Sequence, residues 1–169
     1  ESISLPSSVE EIQDGWCLSA NKLITIIVAP SNKNFSFINN TMLVGKSNKD
    51  VQFYDTILFV RSDINHVVIP SFIKRMSFCI FSDYHLLKEV LFPCDSKIEE
   101  IPRNSFSFSS LTQITIPSSV VQIRGSAFCE CHQLKTVLFQ ENSQLKKIEK
   151  NAFNKKVNEF GFFSIFLFR

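Results

Sequence analysis

Three stretches of the chain carry one spacing of apolar positions. Counted from Pro117, apolar residues or cysteine fall at Val120, Ile123, Phe128, Cys131, Leu134, Val137 and Phe139. The same steps from Pro6 give Val9, Ile12, Cys17, Ala20, Leu23, Ile26 and Val28, and from Pro70 they give Ile73, Met76, Phe81, Tyr84, Leu87, Val90 and Phe92. A fourth copy lacks the proline and is one residue shorter between Phe106 and Leu111; it runs Ile98, Ile101, Phe106, Leu111, Ile114, Ile116. A fifth begins at Leu145, Ile148 and Ala152-Phe153 and then loses the pattern. Self-similarity at a fixed step marks a stack of like units.

Inside each copy lies the signature L-x-x-L-x-L: Leu23-x-x-Ile26-x-Val28, Ile64-x-x-Val67-x-Ile69, Leu87-x-x-Val90-x-Phe92, Leu111-x-x-Ile114-x-Ile116 and Leu134-x-x-Val137-x-Phe139. The last four start 23, 24 and 23 residues apart, within the leucine-rich repeat range. The asparagine that commonly follows is absent; proline or a polar residue closes the signature. Its final part alternates with strand period, which predicts strands over 25–28, 66–69, 89–92, 113–116 and 136–139, parallel and about 4.8 Å apart. The following P-x-x-V-x-x-I predicts a turn and a short extended or 3-10 return. Ser126-Ala127-Phe128-Cys129-Glu130-Cys131 predicts one helical turn whose Phe plugs the core. About seven buried side chains at roughly 2 kcal/mol each cannot offset about 1.5 kcal/mol of ordering per residue, so no coil folds without neighbours.

The expected fold is therefore one leucine-rich repeat solenoid, mainly β. Short parallel strands form one side, with turns, 3-10 segments or short helical turns on the other. Repeats fall at about 3–29, 64–86, 87–110, 111–133 and 134–153, with an insert over about 30–63. In the insert, Met42-Leu43-Val44-Gly45-Lys46 and Thr56-Ile57-Leu58-Phe59-Val60 flank a polar run, following Asn34-Phe35-Ser36-Phe37-Ile38-Asn39-Asn40-Thr41. They predict a β-hairpin with a mobile tip near 46–52. The Phe-rich stretch within 154–169 departs from the pattern; a distorted cap on the last coil and a truncation both account for it.

The run Ile-Pro-Ser-Ser-Val-x-x-Ile followed by Ala-Phe-x-x-Cys-x-x-Leu, from Ile116 to Leu134, resembles the BspA-like leucine-rich repeat family, found in bacterial and protist surface antigens. The insert, with Asn34-Phe35-Ser36 and Leu43-Val44-Gly45-Lys46-Ser47, looks like the variant repeat of protist members. The resemblance covers residues 3–153. It implies a surface or secreted protein that adheres to host cells, matrix proteins or other microbes. An intracellular, cytoplasmic scaffold for protein–protein interaction is the alternative.

Strand neighbours alternate between faces, so the outward row is Ile27, Val68, Leu91, Thr115 and Leu138, preceded by the polar row Thr25, His66, Glu89, Gln113 and Thr136. A solvated sheet face is normally polar. The apolar row, with Glu89 and Gln113 beside it, is thus the candidate contact surface for a protein ligand. Two other readings stay open: β-branched residues suit strands by propensity alone, and the Phe-rich end could cover the row. Asn34-Phe35-Ser36 and Asn39-Asn40-Thr41 are N-glycosylation sequons in the insert.

Composition narrows the chemistry. Apolar residues make up 44% and charged residues 20% of 169, which argues against disorder. A net charge of +2 gives no strong field for nucleic acid or an anionic membrane. Four glycines, against 18 Phe, argue against Gly-rich phosphate loops. No apolar run is long enough to span a membrane as a helix. The chain starts at Glu1, as a fragment or processed piece would. Five cysteines are too few and too odd for a disulfide framework, so free buried thiols are expected. Cys129-x-Cys131-His132 has no second ligand pair and predicts no metal site. His66, His85 and His132 sit in three coils without a G-x-S-x-G or H-E-x-x-H motif. Neither an enzyme nor a cofactor is expected. Lys146, Lys147, Lys150, Lys155 and Lys156 form the one local basic cluster, read as an ordinary solvated edge ahead of a contact for anionic glycans or nucleic acid.

Overall fold

The computed structural model describes residues 1–18, 20, 22–153 and 164–167. In chain order the strands are β1 (Ser2–Leu5), β2 (Thr25–Val28), β3 (Phe35–Ile38), β4 (Met42–Gly45), β5 (Thr56–Val60), β6 (His66–Val68), β7 (Arg75–Met76), β8 (Glu89–Leu91), β9 (Glu100–Ile101), β10 (Gln113–Ile116), β11 (Gln122–Ile123), β12 (Thr136–Phe139), β13 (Lys147–Ile148) and β14 (Ser164–Leu167). No helix occurs among the described residues.

The alternating signature builds the front of the stack. β1 pairs with β2, β6 with β8, and β10 with β12 and through it β14, all parallel. His66 faces Glu89 and Gln113 faces Thr136, each one repeat on. Observed strands match the expected ones, except that β6 and β8 each stop one residue early. Every second side chain points inward: Val67, Ile69, Val90, Ile114, Ile116, Val137 and Phe139 are all buried.

A second, narrower sheet forms the back. Arg75–Met76, Glu100–Ile101, Gln122–Ile123 and Lys147–Ile148 occupy equivalent repeat positions, and β9, β11 and β13 pair in parallel register. These are the short extended returns of the sequence reading, two residues each.

Between back and front the chain turns around one phenylalanine per coil. Phe81, Phe106, Phe128 and Phe153 stack in sequence, with centroids 5.1, 5.1 and 5.0 Å apart and planes within 8° of parallel. Phe81, Phe106 and Phe128 are fully buried. The amides of these three donate to the Ser105, Ala127 and Ala152 carbonyls of the next coil, each at 2.8 Å. The segment expected as a helical turn is instead a pair of turns. Two residues before each Phe, Cys79, Asn104, Ser126 and Asn151 have φ of 56, 54, 59 and 60°, and two residues after, Asp83, Phe108 and Glu130 are also left-handed. A right-handed helix cannot accommodate this backbone.

The insert is a three-stranded meander. β4 and β5 pair antiparallel, as their sequences predict, and β3 adds a third strand through a turn in which Asn39 and Asn40 both have positive φ. Thr41 N–H donates to the Ile38 carbonyl across that turn at 3.0 Å. Asparagine tolerates this left-handed conformation better than other residues with a Cβ. In the loop from β4 to β5, the buried Asp55 carboxylate accepts from the Ser47 amide and hydroxyl, both at 2.8 Å.

β4 and β5 are buried on both faces. Met42, Val44, Ile57 and Val60 pack into the core of the regular coils, while Leu43, Leu58 and Phe59 pack into a second core with Leu5, Leu23 and Ile26. A bulge at Leu43/Val44 leaves Leu58 as the extra residue between Ile57 and Phe59. The meander is thus a layer between the first coil and the rest, continuous with the back through β5 and β7. Trp16 Nε1–H ties the first coil to it by donating to the Leu58 carbonyl at 3.0 Å. Of the C-terminal stretch, β14 extends the front sheet from β12; the remainder of the expected cap lies outside the described residues.

Candidate interaction surface

The front sheet brings four of the five row residues together. Val68 is in register with Leu91, and Thr115 with Leu138; β8 lies beside β10. Val68 is 53% exposed and Leu91 43%, Thr115 is exposed, and Leu138 is half-buried. The outcome is a ladder of side chains at about 4.8 Å spacing, held by a rigid core one residue away on either side. Glu89 is half-buried and Gln113 exposed in the adjacent row.

Ile27 does not join the ladder. It is 57% exposed, but β2 pairs with β1 and packs against β3, outside the β6–β8 sheet. Repeat register places Ile27 in the row; the inserted layer separates it from the other four. On the turns leading to β8 and β10, Leu86, 56% exposed, and Phe108, 50% exposed, are further exposed apolar side chains outside the predicted row. In the Phe106-Ser107-Phe108 run only one ring can enter the spine, and the left-handed backbone at Phe108 turns the other out.

Both sequons lie at accessible places. Asn39 is exposed at the β3–β4 turn, and Asn34 is half-buried beside β3.

The histidines stay in separate coils and are all exposed. His132 Nε2 lies 3.1 Å from a Glu130 carboxylate oxygen. Cys131 does not turn toward His132. It is buried with its Sγ 2.7 Å from the Phe106 carbonyl, and burial pushes its thiol up to about 11. Burial likewise raises Cys17 to about 11, and raises Cys79 and Cys129. Tyr84, buried with its hydroxyl on the Val60 carbonyl, is raised for the same reason. Among the described residues no cluster of three metal-ligating side chains occurs, and no helix is long and apolar enough to cross a membrane.

The back sheet carries an ionic ladder instead. Arg124 bonds Glu100 at 2.7 Å and Glu149 at 3.1 Å. Glu149 also accepts from the Gly125 amide at 2.9 Å, Gln122 at 2.8 Å and Lys147 at 3.2 Å. The Gly125 amide, then Lys147, hold its carboxyl down at about 2.

Short parallel strands stacked one repeat apart over a column of phenylalanines, with a narrow second sheet behind, define a leucine-rich repeat solenoid. The chain belongs to the BspA type leucine rich repeat family, whose region of six copies matches residues 52–164. Its fold is similar to that of a leucine-rich repeat protein from Eubacterium ventriosum, at 22% identity and a TM-score of 0.74 over 97% of this chain and 48% of that one. It is also similar to a leucine rich cell surface protein from Faecalibacterium prausnitzii, at 20% identity and a TM-score of 0.62 over 95% of this chain and 50% of that one. The pneumococcal vaccine antigen PcpA matches at 16% identity and a TM-score of 0.63, over 92% and 45%. The chain thus spans about half the length of these solved relatives. No curated protein matches it.

Proposed function

We propose that this chain is a non-catalytic protein-binding module of a surface or secreted protein, used in adhesion to or recognition of host or microbial partners. The observation that carries the reading is the Val68–Leu91–Thr115–Leu138 ladder, whose exposed apolar members stand on strands that are rigid without it. Exposed contiguous apolar surface on a folded domain is costly to keep wet and typically marks a contact site. A cell surface protein and a vaccine antigen share the fold, which supports the extracellular setting. Repeat scaffolds of this kind act through shape and side-chain display rather than through a pocket with convergent titratable groups.

The test is binding of the purified chain to immobilised extracellular-matrix proteins and to whole host cells, with the Leu91→Asp/Leu138→Asp variant in parallel. A drop of about tenfold or more in affinity, with the circular dichroism spectrum retained, is expected from burying a charge in a contact patch. Undiminished binding to every captured ligand overturns the reading.

A second reading, an intracellular scaffold using the same ladder, is favoured by the cysteines, all five of which are unpaired. Intact-mass measurement of protein from its native source separates the two. Glycans on Asn34 or Asn39 support the secretory setting, and their absence with fully reduced thiols supports the scaffold.

A further inference from the structure

In the turns around the phenylalanine column, the second residue after the buried ring is Asp83, Phe108 or Glu130, with φ of 62, 58 and 55°. Two coils thus place a carboxylate at this position, and the coil between them places a phenylalanine. The three stand side by side on successive coils. The Asp83 amide donates to the Ser107 carbonyl, just before Phe108, and the Phe108 amide to the Cys129 carbonyl, just before Glu130, both at 2.9 Å. Chains paired in this way lie about 4.8 Å apart.

Phe108 is out of place by local rules. Left-handed backbone suits Asn, Asp or Gly and disfavours a bulky side chain, and Asn104 and Asn151 fill other left-handed positions of these turns. Half of the Phe108 surface also stays in water. The neighbouring coil has a second exception. The residue before the signature leucine is Lys22, Ser110 or Gln133 in three other coils, and Leu86, 56% exposed, in this one.

Asp83 is exposed and in no ion pair among the described residues. Glu130 is half-buried, with His132 Nε2 3.1 Å from its carboxylate. An aromatic ring open to water, with a carboxylate one coil away on either side, is complementary to a cation. The ring face attracts a positive group within about 6 Å of its centroid, and a planar guanidinium stacks on the ring while donating to carboxylates at its edge.

We propose that Asp83, Phe108 and Glu130 form a contact site for an arginine side chain of a basic segment in a protein partner. Lysine fits less well, because its compact ammonium is strongly hydrated and has no planar face to stack. This site lies on the turns, apart from the Val68–Leu91–Thr115–Leu138 ladder, and does not rest on it.

The experiment titrates the chain into fluorescein-labelled nine-residue peptides of arginine, lysine or citrulline, at pH 8 and about 50 mM salt to limit screening, and reads fluorescence anisotropy. Citrulline keeps the planar side chain and lacks the charge. Saturable binding of the arginine peptide below about 1 mM is expected, with the lysine peptide about threefold weaker and the citrulline peptide not bound. Phe108→Asn suits the left-handed backbone and weakens binding about threefold or more with the circular dichroism spectrum retained. Phe108→Tyr keeps the ring face and binds within about twofold of the parent. The exposed-charge variant Asp83→Asn/Glu130→Gln weakens binding about threefold to tenfold, and Glu141→Gln, which removes an exposed carboxylate from another turn, leaves it unchanged. The proposal is overturned by no saturable binding, by equal binding of the lysine or citrulline peptide, by undiminished binding in Phe108→Asn, by an equal loss in Phe108→Tyr, or by an Asp83→Asn/Glu130→Gln loss no larger than that of Glu141→Gln.

Discussion

Phe106 and Phe128 lie face to face, their ring centroids 5.1 Å apart and their planes 7° from parallel. They belong to successive coils, and each is fully buried. The amide of the first donates to the carbonyl just before the second, so ring stacking and backbone pairing lock the same two coils in one register. A stacked pair adds about 0.5–1.5 kcal/mol to the burial of the rings themselves.

Phe128→Ala therefore removes one ring from the middle of a column and leaves a cavity against Phe106 and Phe153. The expected loss is about 3–5 kcal/mol in urea denaturation. Lys135→Ala, at an exposed position, is expected to change stability by less than about 0.5 kcal/mol. Similar losses from the two substitutions would contradict the assignment of the phenylalanine column as the core.

Asn32 ties the first coil to the meander. Its buried side chain donates to the Pro6 and Val9 carbonyls at 3.0 and 3.1 Å and accepts from the Asn34 and Phe35 amides at 2.9 and 3.1 Å. All its hydrogen-bonding capacity is used. Asn32→Ala strands the buried Phe35 amide and is expected to cost about 2–4 kcal/mol. Hydrogen exchange should show faster exchange confined to residues 1–45, because the regular coils have their own core. Uniform destabilisation along the chain would contradict two cores separated by the meander.

The front of this fold was legible in the sequence because alternation within L-x-x-L-x-L is a direct record of which side chains face inward. The back was less so. Two-residue strands such as Gln122–Ile123 are too short to show a period, and the spacing by three that surrounds them suits several conformations. The turn around Phe128 resembles a helical turn in sequence because its left-handed residues are Ser126 and Glu130, neither of them a glycine that would announce positive φ. Asn39-Asn40 carries a turn signal, but the longer polar run before β5 carries a stronger one, which hides β3 in the sequence. At the candidate surface, register alone put Ile27 with Val68. Only the thickness of the inserted layer, a tertiary property, separates them.

Thiol reactivity should follow burial. A thiol held at about 11, as Cys17 and Cys131 are, is ionised to about one part in a thousand at pH 8, and the thiolate is the nucleophile. Cys94 is exposed. Brief treatment with iodoacetamide followed by peptide mass mapping should modify Cys94 first and leave Cys131 unmodified until denaturant is added. Early modification of Cys131 would mean that its side chain is not seated between coils.

The ladder on the back sheet gives stability a defined response to acid. Glu149 titrates near 2 in the folded chain against an ordinary value of 4.5, so its ionised form is favoured by folding. The contribution is complete above about pH 4.5 and is lost as pH falls from there toward 2, because below both values the two states bind the same proton. Glu149→Gln retains an acceptor for the Gly125 amide but gives up the charge facing Arg124 and Lys147. The variant should be less stable than the parent at pH 7, and the gap should close between pH 4.5 and 2 in parallel urea titrations. Taking the difference at each pH removes the titration of every other carboxylate. A gap that persists unchanged to pH 2 would show that the loss comes from packing at the last coil rather than from the carboxylate.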